Sequence, residues 1–438
     1  MLEIYNQDFF NGAVRFNIYL LVINILLLVH FFSSWAFYCN KEKKLVNYWY
    51  FFIFLFFVFP VLMMYPFNAS IKNIGAMGEN YFKVEPFVNY AYFISIIGYI
   101  SVWIGGMVSS KKYNRINNKN YYFIDTLIEG AFGTGKAFRY FLTFMFLCMI
   151  GFLLFQLYGG YLGDPRSFFM KNNIYRPIFN FLLSAFKLTL VILGILVIQK
   201  NKRCDKLFFC FFVATGLFLG TRSTLLDPIA QVFLFYIMFN SEKVKLWYIV
   251  LFGLVVLGFV FLLGEFRSSR HQLKLVDSLL YGNSYSDTRD FAWILTFWDY
   301  HYALGKTYLA GWLSFLPAHF SNYREVWSIS RYTNQFVGFD SSIHPGLRPG
   351  KFGEAFLNFG LSGVIVLGLT LGYWLHRASD NINEEVKNGK NVIKAFAKTV
   401  PFQVITFFCI TANFFELYVW IAITIFLFSL NRFIFKGQ

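Results

Sequence analysis

The stretch from Ser341 to Gly363, SSIHPGLRPGKFGEAFLNFGLSG, brings together side chains that could do acid–base chemistry. It contains His344, Arg348 and Glu354, and a long apolar segment follows directly. An imidazole titrates near neutral pH and can take a proton from a hydroxyl group. A structural explanation is also open: His344 is then a solvated loop residue, and Glu354 stabilises the positive end of a helix dipole.

A second candidate is Arg222, in the segment GTRSTLLDP from Gly220 to Pro228. This segment predicts a tight hairpin between two membrane spans, with Asp227 about one turn into the second. A guanidinium can bind phosphate through two parallel hydrogen bonds, which a lysine does not reproduce. Alternatively, Arg222 reaches the membrane surface and pairs with lipid phosphate or with Asp227. We favour a functional role.

Further cationic groups lie in two other segments. Arg166 and Arg176 belong to GDPRSFFMKNNIYRPI, and Arg267, Arg270 and His271 belong to EFRSSRHQ. Three cationic or potentially cationic groups within five residues suit a polyanionic ligand such as a pyrophosphate. Solvation, charge at a helix end and contact with lipid headgroups are the alternatives.

The composition shows which elements position these residues. The chain of 438 residues is 57% apolar and 14% charged, far from the composition of soluble proteins. Apolar runs long enough to cross a hydrocarbon core of about 30 Å recur throughout. We therefore predict an all-α polytopic membrane protein with about eleven spans, and twelve if one is missed. The spans lie near 17–38, 47–67, 88–108, 140–160, 178–198, 207–220, 224–240, 246–264, 353–375, 399–413 and 416–431.

The distribution of lysine and arginine predicts the orientation. Most of these residues in short connections fall on one side of the spans, which the positive-inside rule assigns to the cytoplasm. The amino terminus is then outside and the carboxyl terminus inside. The net charge of +16 is explained mainly by this topology, so we predict no nucleic-acid partner.

Three regions follow from this topology. Residues 1–264 hold spans one to eight, residues 265–352 form one large outer loop, and residues 353–438 hold the last three spans. Within the loop, FAWILTFWDYHY and YLAGWLSFLPAHF are rich in aromatic residues and too short to span. They predict interfacial or re-entrant helices, or the hydrophobic core of a small folded cap.

Two kinds of site are not indicated. The five cysteines fall within predicted spans or on the inner side, so we expect no disulfides. No metal-ligand spacing is present among them, and we predict no metal site. Lys187, inside a predicted span, should face the protein interior or pair with a carboxylate such as that of Asp227.

A pattern near the end of the large outer loop resembles one in the Wzy-type polymerases of bacterial O-antigen and capsule repeat units. The pattern is His-Pro-Gly-x-Arg-Pro-(x)3-Gly-Glu-Ala-(x)2-Asn-(x)-Gly-(x)2-Gly. These are related to the O-antigen ligases. The hairpin at Gly220–Thr224 is similar to a Ser/Thr-Arg turn in the same superfamily. The resemblance covers about residues 215–365, and it implies a GT-C-like fold of nearer twelve spans.

The resemblance implies a metal-independent glycosyltransferase without a cofactor. It would act at the periplasmic face of the bacterial inner membrane, in the biosynthesis of lipopolysaccharide or another surface polysaccharide. A glycan on undecaprenyl pyrophosphate would pass to the non-reducing-end hydroxyl of an incoming lipid-linked repeat unit. Membrane lipid and a Wzz-type chain-length regulator are further expected partners.

The resemblance also suggests roles for individual residues. His344 becomes the expected base, and Glu354 either competes for that role or orients His344. Fixed cations would bind and stabilise the departing pyrophosphate. The candidates for this role are Arg222, Arg267, Arg270, Arg348, Arg166, Arg176 and His271.

Two other functions stay open. An O-antigen ligase uses the same donor with lipid A-core as acceptor, but its histidine is usually followed closely by Asn, whereas Pro345 follows here. A flippase or other transporter of lipid-linked oligosaccharides would favour charges spread through the spans and short loops. The concentration of ionisable groups in one outer loop favours the polymerase.

Overall fold

The computed structural model contains only helices, turns and irregular segments in the part of the chain that it describes, with no strand. Long apolar stretches form these helices because a helix satisfies its backbone hydrogen bonds internally, as a membrane requires. The described residues are 17–42, 44–65, 81–112, 122–133, 136–159, 168–169, 175–219, 222–240, 244–245, 247, 251, 253–254, 258, 287–316, 320–338, 346–388 and 391–434.

The amino-terminal half contains eight described helices. α2 continues as a wider helix over Phe54–Met63 around Pro60, α4 continues over Glu129–Gly133, and α7 ends in a short turn at Leu217–Leu219. The bounds are α1 Ile18–Glu42, α2 Tyr48–Ile53, α3 Tyr81–Lys112, α4 Tyr122–Ile128, α5 Lys136–Gly159, α6 Tyr175–Lys200, α7 Arg203–Gly216 and α8 Arg222–Phe239.

The carboxyl-terminal half begins with four short helices, which fall within the predicted outer loop. Three long helices follow. The bounds are α9 Asp287–Phe297, α10 Lys306–Trp312, α11 Asn322–Trp327, α12 Ile329–Val337, α13 Gly350–Asn388, α14 Val392–Cys409 and α15 Phe414–Phe433.

Seven of the described helices are long and apolar enough to cross a membrane, so the chain is an all-helical membrane protein. They are α1, α3, α5, α6, α13, α14 and α15. Two shorter apolar segments, Tyr48–Met63 and Thr224–Phe239, match two further predicted spans. The predicted span 207–220 coincides with the shorter helix α7, and the predicted span 246–264 lies largely outside the described residues. The count of eleven or twelve spans stays a prediction.

The segments predicted to lie on the inner face contact one another. Glu129, at the end of α4, lies 3.8 Å from the Lys394 ammonium of α14, and the carboxylate of Asp125 pairs with Lys398. Lys387 of α13 lies 3.8 Å from Glu42 of α1. The short helices α9–α12 lie at the other end of the bundle, which we call the loop end.

At the loop end, the short helices pack on the long ones. α9 lies against α3, and its residues Phe291 to Leu295 are buried. α10 packs on the turn at Thr411–Asn413, between α14 and α15; the Tyr418 hydroxyl donates to the Trp312 carbonyl at 2.7 Å. Both aromatic-rich loop segments therefore contain a helix.

Candidate functional site

Glu354 is buried where three elements of the loop end meet. It is the fifth residue of α13, and only 2% of it is exposed. Its Oε1 atom accepts hydrogen bonds from the Thr307 hydroxyl of α10 at 3.1 Å and from the Thr411 hydroxyl at 2.6 Å. Its Oε2 atom accepts from the Thr411 backbone N–H at 3.3 Å. A buried carboxylate needs such donors, so Glu354 ties α10 and the α14–α15 turn to α13.

A break in α13 lies just beyond this carboxylate. Gly360 has φ 63° and ψ −153°, which a helix cannot contain and which a residue with a Cβ rarely adopts. The carbonyls of Leu357 and Asn358, just before the break, accept hydrogen bonds from the N–H groups of Ala303 and Leu304 at 3.0 and 3.1 Å. The first turns of α13 therefore form a separate short helix held by the loop segment before α10.

The side chain of Asn358 completes this junction. Its amide nitrogen donates to the Thr307 hydroxyl at 2.7 Å and to the Glu354 carbonyl at 2.8 Å, and its oxygen accepts from the Gly305 N–H at 3.0 Å. Thr307 therefore lies between an amide donor and a carboxylate acceptor. We call Thr307, Glu354, Asn358 and Thr411 the carboxylate network.

A second carboxylate, Asp287, lies where α9 and α13 begin. A Cβ on Gly350 would lie 3.1 Å from the Asp287 Cβ and 3.3 Å from its Oδ2. Asp287 is accessible to solvent on one side, yet surrounding protein desolvates its carboxyl and raises its pKa. The positive charges of Arg348 and Lys351 oppose this rise. The start of α13 therefore combines an accessible carboxylate with two cations.

The Lys351 ammonium has a defined position beside aromatic rings. It lies 4.1 Å from the ring centroid of Phe56 and 5.1 Å from that of Phe57, on the helical segment that follows α2. Such cation–π contacts hold an ammonium in place where few water molecules reach it. Close by on α9, the guanidinium of Arg289 donates to Asp290 at 2.9 and 3.1 Å, and both residues are buried.

Two arginines from distant segments approach each other elsewhere at the loop end. Arg176 lies in the first turn of α6, and Arg324 lies in α11. Desolvation lowers the pKa of the Arg324 guanidinium, and the positive charge of Arg176 lowers it further. Two like charges that interact in this way suit an anionic ligand.

The structure describes three of the predicted site residues with their side chains: Glu354, Arg348 and Arg176. Arg348 precedes α13 and interacts with Asp287, Glu354 lies in the second turn of α13 and bonds to Thr307 and Thr411, and Arg176 lies within electrostatic range of Arg324. Arg222 opens α8, but its side chain is outside the described residues. His344, Arg166, Arg267, Arg270 and His271 also lie outside the described residues.

Sequence reasoning missed several residues of the loop end. Asp287 begins a helix with a second aspartate three residues later, a recognisable helix-start pattern, but nothing in the sequence places it beside Gly350. Thr307 and Thr411 lie 47 and 57 residues from Glu354, so their contacts depend entirely on tertiary structure.

Lys187 of α6 has a partner that the sequence did not indicate. Its ammonium donates to Glu416 of α15 at 2.8 Å, and both side chains are largely buried. Asp227 of α8, the partner suggested by the sequence, interacts electrostatically with both residues. Three ionisable groups therefore meet among α6, α8 and α15.

Among the described residues, no group of three or more His, Cys, Asp or Glu side chains could hold a metal ion. The four side chains of the carboxylate network, from two threonines, one asparagine and one glutamate, hydrogen-bond to one another, which is typical of a structural role.

Comparison of the chain with models of protein families, with curated proteins and with solved structures finds no match.

Proposed function

We propose that this protein is a polymerase of surface polysaccharide repeat units in the bacterial inner membrane. The observation that carries the proposal is the convergence at the loop end: Asp287, Arg348 and Lys351 interact at the start of α13, in the turns that lead to Glu354. Such a site offers cations for a pyrophosphate and the accessible carboxylate of Asp287 for a sugar hydroxyl.

In the proposed reaction, the hydroxyl of the incoming repeat unit attacks the anomeric carbon of the donor glycan. The bond from that carbon to the pyrophosphate breaks, and undecaprenyl pyrophosphate leaves with the electron pair. Fixed cations stabilise the negative charge that develops on the leaving group. Arg348 is the described candidate, and Arg222, Arg267, Arg270, Arg166, Arg176 and His271 are the further candidates from the sequence.

We propose His344 as the group that takes the proton of the attacking hydroxyl. Glu354 is the less suitable base, because its two oxygens already accept three hydrogen bonds and it is buried. We propose that Glu354 is a positioning residue, which fixes the start of α13 relative to α10. The segment that carries His344 leads directly into that start.

One observation favours a second function, a transporter of lipid-linked oligosaccharides. The group of Lys187, Asp227 and Glu416 lies within apolar helices, where ionisable residues commonly belong to transport pathways. A ligase that transfers the same donor to lipid A-core is the third possibility. The surface polysaccharide of a deletion strain distinguishes the polymerase from the other two functions.

The test is deletion of the gene followed by gel analysis of surface polysaccharide. A polymerase predicts loss of the long-chain ladder while a single repeat unit still reaches the core. Complete absence of capped core contradicts the polymerase and supports the ligase or the transporter.

Restoring the gene with His344→Ala or Arg222→Ala should give no ladder although the protein reaches the membrane in normal amount. Wild-type ladders from both variants would refute the assigned roles. Arg432→Ala is the matched control, because Arg432 lies in the last turn of α15, at the end of the bundle away from the loop end.

A further inference from the structure

The segment from Asp299 to Leu304 is fixed rigidly to the loop end. The carbonyl of His301 accepts two hydrogen bonds at 3.2 Å, from the Trp298 indole and from the Tyr332 hydroxyl of α12. The N–H groups of Ala303 and Leu304 bond to the carbonyls that the break in α13 releases. The backbone is therefore held from two directions, by α12 and by α13.

This fixed segment nevertheless presents large apolar side chains to solvent. Tyr300 is 60% exposed, Tyr302 is 47% exposed and Leu304 is 72% exposed. Tyr300 and Leu304 also have positive φ angles, 61° and 48°, which residues with a Cβ rarely adopt. Strained backbone of this kind persists where the surrounding structure enforces it and is often found at binding sites.

The aromatic rings are supported from beneath and from one side. The buried ring of Trp298 lies 5.2 Å from that of Tyr300 and 5.3 Å from that of Tyr302. Tyr90 of α3 is 41% exposed, and its phenol lies close enough to those of Tyr300 and Tyr302 for electrostatic interaction. Three phenol groups from two distant parts of the chain therefore face the same region.

Polar groups alternate with these rings. The side chains of Asp299 and His301 are 55% and 87% exposed, and their Oδ2 and Nδ1 atoms lie 3.3 Å apart. The Asp299 Oδ1 atom also accepts from the His301 N–H at 3.1 Å. Such exposed charged and polar groups require water, so the surface lies outside hydrocarbon.

We propose that Tyr90, Asp299, Tyr300, His301 and Tyr302 form a glycan-binding platform. The flat aromatic faces suit the C–H faces of sugar rings, and the carboxylate, imidazole and phenols suit sugar hydroxyls. The platform rests on the proposed function, because it would hold the glycan next to the transfer site. Leu304 connects it directly to Asn358 of the carboxylate network.

Rigidity is the reason to expect useful affinity. A preformed aromatic surface loses little conformational entropy on binding, whereas a flexible loop must be ordered first. A phospholipid headgroup is the competing occupant, since tyrosines also line membrane interfaces. The alternation of charged and aromatic side chains along the segment favours sugar, and the experiment separates the two.

The test measures binding to the full-length protein in lipid nanodiscs. The probe is the lipid-free repeat-unit oligosaccharide, released by mild acid hydrolysis of the glycosyl pyrophosphate bond in undecaprenyl-pyrophosphate-linked repeat units of the producing strain. We expect Tyr300→Ala and Tyr302→Ala each to weaken its binding about tenfold, the size of one lost aromatic contact. Tyr300→Phe keeps the ring and should stay within about threefold of the wild type. Tyr158→Ala removes a tyrosine that is 97% exposed at the end of α5 and is the matched control.

Several outcomes would overturn the platform. One is wild-type affinity in both alanine variants, and another is no binding of the oligosaccharide to the wild-type protein. A third is that glycerophosphoglycerol, a headgroup probe, binds and depends on the tyrosines while the oligosaccharide does not. Tyr300→Ala changes the more exposed ring, so it is the informative variant if Tyr302→Ala fails to accumulate in membranes.

The same variants, placed in the gene, separate this proposal from the proposed function. A ladder that is lost on deletion but normal in both alanine variants, with unchanged oligosaccharide binding, contradicts the platform alone. A ladder that survives deletion contradicts the polymerase, whereas tyrosine-dependent binding of the oligosaccharide would still support the platform.

Discussion

Removing the Thr411 hydroxyl should loosen the junction between α13 and the α14–α15 turn. This hydroxyl donates a 2.6 Å hydrogen bond to the buried carboxylate of Glu354, and Thr411→Val deletes it while keeping the size of the side chain. Hydrogen bonds to carboxylates are worth about 1.5–3 kcal/mol, and the Thr411 N–H and the Thr307 hydroxyl still bond to Glu354. We expect the free energy of local opening to fall by about 2 kcal/mol, or roughly 30-fold in the opening equilibrium.

Cys409 provides the assay. It is fully buried near Glu354, two residues before Thr411, so a thiol reagent reaches it only when the junction opens. With the other four cysteines replaced by serine, its labelling rate reports the opening equilibrium when labelling is slow relative to reclosing. Thr411→Val should label about 30 times faster than the parent protein in the same detergent.

The matched control is Thr370→Val in a partly exposed stretch of α13, whose hydroxyl donates to the Val366 carbonyl of its own helix at 2.8 Å. It should leave the Cys409 labelling rate within about twofold of the parent. If Thr411→Val labels no faster than Thr370→Val, the carboxylate network does not hold the junction, and the reasoning fails.

Two further predictions concern other ionisable groups. Lys187→Met leaves Glu416 buried without its cation and should destabilise the protein by about 3–5 kcal/mol, while Lys187→Met with Glu416→Met should recover most of the loss. Thermal unfolding in detergent measures both, and equal melting temperatures for the single and double variants contradict the pairing. Desolvation by the surrounding protein raises the pKa of Asp287, so ionising it opposes folding, and stability should fall as the pH rises from the unfolded-state pKa through the folded one. Asp287→Asn should flatten the fall in stability that begins above about pH 4, the unfolded-state pKa of an aspartate, and an unchanged melting-temperature profile would show that desolvation does not perturb this carboxyl.

The long helices were largely predictable from the sequence. Each of the seven apolar helices of spanning length corresponds to a predicted span, because a run of apolar residues has few other stable conformations in a membrane. The break at Gly360 was not predicted. Nothing in the sequence distinguishes that glycine from others in apolar helices, whereas the structure gives it a positive φ and the carbonyls before it accept hydrogen bonds from the loop.

The candidate site was predictable only in part. The sequence interpretation singled out Glu354 because a glutamate at the start of an apolar helix is unusual. It did not predict the hydrogen bonds from Thr307 and Thr411. The same limit applies to Lys187: its burial in a span demanded a carboxylate, and the sequence offered Asp227 as the nearer choice. Which helices become neighbours depends on packing over the whole bundle, so the contact with Glu416 had no local signal.

The pair of Lys187 and Glu416 also has a consequence for the order of assembly. The two residues are 229 positions apart, so at roughly 5–20 residues per second the ribosome takes about 10–45 s to reach the glutamate after the lysine. α6 therefore enters the membrane with an ammonium whose permanent partner does not yet exist. Asp227 emerges far earlier and interacts with the same ammonium in the finished protein. Its carboxylate can act as the counter-ion of Lys187 during this interval. The lysine therefore stays charged, and α15 docks onto it last.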